Sequence, residues 1–326
     1  MWIMLLVFAS LGVYLLAAAV FPLRGGGERP SRLAPALAAV AGLLGAAPAI
    51  FCLHHGASLE WAHAWGLPFG SFHLRLDPLS AWFALLLFVV AFLGAWHGGR
   101  QPASGGNWGG YFLLCFAMFL LLLAWDAVLF LVAWEVMSLA AWTLVMNHHD
   151  RPAARRAAWF YFIVTHASTV CLMLMFMLLA RAGGGFSFDA LTAARLSAGA
   201  AGAAFVLGVL GFGSKAGFFG MHLWMPEAYG AVTGHNAALL SAIMSKLSFY
   251  ALLRLLGFLP RPEAWWGGAL IALGALTAIY GIVCALMQGR LKRLLAYSSM
   301  ENLGLLCLAL GFVLFGEARG AGWGRL

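Results

Sequence analysis

The 326 residues predict an all-α polytopic membrane protein of about ten transmembrane helices, and three observations carry that prediction. Hydrophobic residues make up 63% of the chain, charged residues only 9%, and the mean hydropathy is +0.92; an average soluble domain is about one quarter charged. The apolar residues gather into ten runs, each near the roughly 20 residues that a spanning helix needs. The basic residues fall in short clusters between those runs, as the positive-inside rule requires. A soluble enzyme, a disordered chain and a fibrous chain are all excluded by this composition.

The runs cover 2–22, 33–53, 78–97, 110–125, 127–147, 157–181, 199–224, 232–256, 266–288 and 294–315. The first has no basic residue before it and no small-residue cleavage site, so it reads as a retained helix rather than a signal peptide. The stretch 54–77 is too short to be a soluble domain, so the chain reads as one membrane domain, 1–326, with no place for a nucleotide. With the N-terminus outside, the inner loops hold Arg24, Arg29, Arg32, Arg100, Arg151, Arg155, Arg156, Arg290, Lys292 and Arg293. The outer loops and tail hold Arg75, Arg181, Arg195, Arg254, Arg261, Arg319 and Arg325. All the dense clusters are then inside, which predicts both ends of the chain outside a bacterial cytoplasmic membrane.

The formal charge of +8 is thereby a topology signal. No basic, aromatic-interleaved patch points to nucleic acid. Five cysteines (Cys52, Cys115, Cys171, Cys284, Cys307) sit in or beside apolar runs without a CxxC pair or a histidine at ligand spacing. They read as small helix-packing residues. No metal or cofactor is expected on this chain, so any redox centre belongs to another subunit.

Two cations remain, Lys215 and Lys246, both inside apolar runs. The chain has three lysines in all, whereas none of its arginines lies near a span centre. Lysine is the cation whose proton affinity moves on burial; arginine stays charged. A cation at mid-bilayer costs at least about 2.5–3.5 kcal/mol, which argues for a use. Glu135, in LFLVAWEVMSLAAWTLV, is the matching buried acid. Two readings stand for these groups: a static ion pair that fixes helix packing, or a pair that carries protons. His166, His222 and His235 add candidate relays beside the reading of packing histidines.

Lys215 lies in GFGSKAGFFGMHLWMPEAYG, bracketed by Gly211, Gly213, Gly217 and Gly220 and followed by Pro226. A glycine-interrupted hydrophobic segment carrying an ion points to a broken helix at a transport site; glycine for close helix packing is the alternative. Glu227 stands where a water path to Lys215 would open. Glu301, with Asn302, follows the cluster Arg290, Lys292 and Arg293, as an interfacial ion pair or as part of a proton path. Asp77 and Asp126 fit loop or helix-cap roles.

The runs RLDPLS, WEVMSLAAW, HLWMPEA after Lys215, HNAALLSAIMSK ending in Lys246, and LKRLLAYSSMENLG occur in one order across residues 72–310. Together they resemble the antiporter-like, proton-channel subunits of the respiratory complex I superfamily. AYSSMEN and WEVMSLAAW resemble the hydrogenase-4 component B and formate hydrogenlyase branch. The resemblance implies an antiporter-like fold: N-terminal helices at 1–109, a complete five-helix repeat at 110–256 (helices 4–8, helix 7 broken) and the start of an inverted second repeat at 266–315. It implies that Glu135 and Lys215 form a gating pair, that Lys246 carries the proton toward the subunit centre, and that His235 stands near cytoplasmic proton uptake. Tyr229 replaces a common histidine, and TGHN lacks the usual proline-serine. The second broken helix and the long lateral helix of some members have no counterpart here. Expected partners are other membrane subunits, a peripheral hydrogenase or redox arm, the lipid bilayer and protons or sodium. Three functions follow: a non-catalytic proton-translocating subunit of a hydrogenase-4-like complex; a subunit of a sodium/proton antiporter or NADH–quinone oxidoreductase; or a split or truncated scaffold.

Overall fold

The computed structural model describes residues 2–23, 32–66, 69–100 and 107–320. Arg24, Arg29 and Arg325 lie outside the described residues. Each predicted apolar run is a helix: α1 (Trp2–Leu23), α2 (Leu33–His55), α3 (Pro78–Gly98), α4 (Trp108–Leu123), α5 (Ala127–Val145), α6 (Pro152–Gly183), α8 (Ala198–Ala216), α12 (Ala264–Leu286) and α13 (Leu291–Ala318). The eighth run is composite: α10 (Gly234–Leu239), a π-turn at Leu240–Met244 and α11 (Ser245–Phe258). Among the described residues nine helices are long and apolar enough to cross a membrane, and α4 is a shorter apolar helix of 16 residues.

The seventh run is interrupted within its bounds. The run over 199–224 was expected to be broken around Lys215, and the helix stops at Ala216. Gly217 takes φ +80° there, and its N–H bonds back to Gly213 O at 2.9 Å. A left-handed residue of this kind ends a helix. The chain turns through Phe218–Leu223 and resumes as α9 (Trp224–Ala231). Three further elements lie where loops were expected. Strands β1 (Leu59–His63) and β2 (Phe72–Leu76) pair antiparallel within 54–77, with Trp61 opposite Leu74. The short α7 (Phe188–Thr192) is capped by the Ser187 hydroxyl.

The described chain divides into two compact units, Met1–Ala158 with Ala231–Met244, and Trp159–Gly230 with Ser245–Leu326. In the first unit α4 is the core: 14 of its 16 residues are buried, which no lipid-facing helix could show. In a bilayer the polar groups of a helix must bond to protein. Accordingly the Ser80 hydroxyl donates to Leu122 O at 2.6 Å and the Tyr111 hydroxyl to Ala91 O at 2.7 Å. The hairpin fastens the corner between α4 and α5. Trp125 N–H donates to His73 O at 2.9 Å, and Asp126 caps α5 by accepting from Val128 N–H at 2.9 Å and Ser71 N–H at 3.2 Å.

In the second unit α8 packs on α11 and α6 through glycines. A Cβ at Gly208 would meet Leu255 at 2.0 Å, and one at Gly211 would meet Leu172 at 2.4 Å. Helices α12 and α13 form a tight antiparallel hairpin. Large apolar side chains such as Leu276, Ile279 and Phe312 are exposed along it, as a lipid-facing surface requires.

Candidate functional site

The second unit holds Lys215, in the last turn of α8, fully enclosed at 0% exposure. Its Nζ lies 5.3 Å from the centroid of the Tyr161 ring on α6. An ammonium over an aromatic face within about 6 Å is attracted by the ring's quadrupole, more so once water is removed. Tyr161 in turn stands edge-to-face with Trp224, at 5.1 Å between centroids. The Trp224 indole N–H donates to Ser214 O at 2.8 Å. That carbonyl is one of those a broken helix leaves open, so the aromatic wall and the helix end are tied together one residue before Lys215.

The turn after Lys215 is held by its own backbone. Phe219 N–H donates to the buried Thr277 hydroxyl on α12 at 3.0 Å. At Gly217 the left-handed φ of +80° is what disfavours other residues, since the nearest atom to a Cβ there, Met225 Cε at 2.5 Å, is the free end of a flexible side chain. His222, 4% exposed, lies in this turn with its ring 4.9 Å from Tyr280 and 6.5 Å from Tyr297. Glu227, on α9, receives a hydrogen bond from Arg293 at the start of α13. It is therefore half of an ion pair, both side chains partly exposed, rather than a lone carboxylate. Lys246 is the second residue of α11, after the π-turn and Ser245, and is half-buried. His166, on α6, bonds through Nδ1 with Phe162 O at 2.9 Å and stacks on the Phe162 ring at 3.9 Å. Glu301 is half-buried on α13, where its backbone N would lie 2.8 Å from a Cβ at Gly281.

The first unit holds Glu135 and His235. Glu135 is half-buried near the middle of α5. His235, 2% exposed at the start of α10, lies flat against Trp108: the centroids are 5.0 Å apart and the planes 16° from parallel. Its Nε2 is 3.3 Å from the Thr233 hydroxyl. Sequence reasoning found the ionisable residues but missed Tyr161, Trp224, Thr277 and Trp108. In a chain with 14 tryptophans and 25 phenylalanines, one more aromatic carries no signal of its own.

Residues 124–320 match the family described as NADH:quinone oxidoreductase/Mrp antiporter, TM. The chain belongs to that family. Hydrogenase-4 component B of Escherichia coli (strain K12) is 35% identical over 286 residues, 85% of this chain and 42% of the relative. Formate hydrogenlyase subunit 3 of the same strain is 30% identical over 249 residues, 74% of this chain and 39% of the relative. The solved Mrp complex from Dietzia sp. DQ12-45-1b contains a chain of the same fold, with TM-score 0.80 and 26% identity over 94% of this chain and 34% of that one. The chain thus spans about two fifths of the length of the curated relatives it matches. It is an antiporter-like, multi-pass membrane protein of the complex I, hydrogenase and Mrp family, as its motifs imply.

Proposed function

We propose that this chain is a proton-translocating membrane subunit of a hydrogenase-4-like redox complex in a bacterial cytoplasmic membrane. The observation that carries the reading is Lys215: a fully enclosed lysine at the broken end of a spanning helix, seated on an aromatic face. An intramembrane ionisable group is expensive and marks ion pathways. In this reading His235 takes up the proton at the cytoplasmic side. Glu135 and Lys215 form the gating pair, Lys246 passes the proton inward, and His222 and His166 serve as relays. Glu227 and Glu301 are accessory, Glu227 through its pairing with Arg293. The redox chemistry, with its cofactors, belongs to partner subunits of the complex.

The test is proton uptake in membrane vesicles containing the complex with which the chain purifies. Glu135→Gln and Lys215→Met are expected to abolish uptake while the complex still assembles. Normal uptake by both variants would refute the reading. The likeness to a chain of an Mrp complex supports a second reading, a sodium/proton antiporter subunit. Uptake that depends on a sodium gradient and persists without electron donor would favour it.

A further inference from the structure

We infer that Trp108 and Gly98 form a fixed slot for the His235 ring, and that Trp108 is a positioning residue for proton uptake. The inference rests on the reading of His235 as the residue that takes up the proton, and on geometry within one compact unit. The indole of Trp108 covers one face of the imidazole, nearly parallel at 5.0 Å. Gly98, the last residue of α3, stands close to the ring as well: a Cβ there would lie 2.6 Å from both His235 Cγ and Nδ1 and 3.0 Å from Cδ2. Any other residue at position 98 would push the ring out of its place. Tyr111, one turn after Trp108 on α4, closes the slot at 5.9 Å, and its own hydroxyl is fixed to Ala91 O. A Cβ at Gly94, one turn before Gly98, would meet that hydroxyl at 2.6 Å. The same helix face is thus kept bare along the whole slot.

A histidine normally samples broad ring torsions. Held between an indole and a bare backbone, this one has a single ring plane, with Nε2 directed to the Thr233 hydroxyl at 3.3 Å. Proton transfer demands donor and acceptor within hydrogen-bond reach. A misplacement of about 1 Å can cost roughly a hundredfold in rate. The seat also tolerates the ring's change of charge, because a cation over an indole face is attracted to it. Trp108 is itself fixed: it follows Asn107, which caps α4 by accepting from Gly110 N–H at 2.8 Å.

The experiment combines two readouts on the complex in vesicles and on the full chain in lipid nanodiscs. Trp108→Leu is expected to slow proton uptake about tenfold or more and to split or broaden the ring-nitrogen NMR signals of His235, identified by their loss in His235→Ala. Trp108→Phe, which keeps a stacking face, is expected to retain most of the rate and a single set of signals. Gly98→Ala is expected to behave as Trp108→Leu. Sharp, wild-type ring signals in Trp108→Leu, or equal losses in Trp108→Leu and Trp108→Phe, would overturn the slot. Should His235→Ala take up protons normally, the assignment of His235 to uptake falls. The ring signals of the Trp108 variants still decide the slot.

Discussion

In the role proposed for Lys215, residue type matters more than charge. Arginine in the same place would keep the cation, since its guanidinium does not deprotonate in proteins, and its planar head cannot stand in for a compact ammonium. Lys215→Arg is therefore expected to support assembly and to lose proton uptake by at least about tenfold, measured beside Lys215→Met in the same vesicles. Recovery of normal uptake by the arginine variant would show that a fixed positive charge suffices. A second residue-scale expectation concerns Asp126, which lies between α4 and α5, outside the spanning segments. Burial raises its carboxyl above the usual aspartate range, while bonds from Val128, Leu129 and Ser71 pull it back. A carboxyl raised in the fold favours the folded state while protonated, and that contribution fades as pH rises through the folded pKa. Asp126→Asn keeps one oxygen for Val128 and Leu129 but turns an NH2 toward the Ser71 N–H, so thermal unfolding at neutral pH should place it between the parent and Asp126→Ala. Asp126→Ala should lose about 1 kcal/mol, the ordinary cost of a lost N-cap.

At the scale of elements, the hairpin of α12 and α13 is built from glycines repeating every seven residues on both helices. A Cβ at Gly267 would meet Phe315 N at 2.5 Å, one at Gly274 would meet Leu308 N at 2.4 Å, and one at Gly281 would meet Glu301 N at 2.8 Å. From the other side, a Cβ at Gly304 would meet Ala278 N at 2.5 Å and one at Gly311 would meet Ile271 N at 2.6 Å. These are backbone atoms, which cannot turn aside as a side chain can. Without a hydrophobic drive between helices in lipid, such backbone proximity is what holds a pair together. Gly274→Leu is expected to destabilise the hairpin by about 3 kcal/mol or more, above the usual cost of overpacking. It should appear as protease sensitivity of the α12–α13 loop. Gly268→Ala, with nothing within 4 Å, is the matched control and should leave cleavage unchanged. The ten apolar runs were legible in the sequence, whereas the glycine spacing of α12 and α13 takes its meaning only from the packed pair. The interruption after Lys215 was legible from Gly217 and Pro226. The π-turn was not, because Leu-Ser-Ala-Ile-Met contains neither glycine nor proline. The hairpin of β1 and β2 left only a faint trace, the alternation of Phe72–Leu76. Nor could one sequence tell which aromatics face Lys215 or His235, since their role comes from where the helices bring them.

For the whole molecule, the charge distribution makes the one prediction that spans every loop. The clusters Arg151, Arg155 and Arg156, and Arg290, Lys292 and Arg293, fall between spans that share one predicted side. The loop after α6 lies on the other, with the exposed segment around Ala193. Positively charged loops resist translocation, so the cytoplasm should hold the first set and the periplasm the second. The chain's own cysteines suit a labelling test: Cys52, Cys115 and Cys307 are buried, and Cys171 and Cys284 lie within α6 and α12. A cysteine placed at exposed Asp150, as Asp150→Cys, should react with a membrane-impermeant maleimide only after the cells are opened. Ala193→Cys should react in intact, outer-membrane-permeabilised cells. That pattern puts the start of α10, with His235 and its Trp108 slot, at the cytoplasmic end. The opposite pattern would invert the chain and place His235 at the periplasmic end, against its proposed role in taking up protons from the cytoplasm.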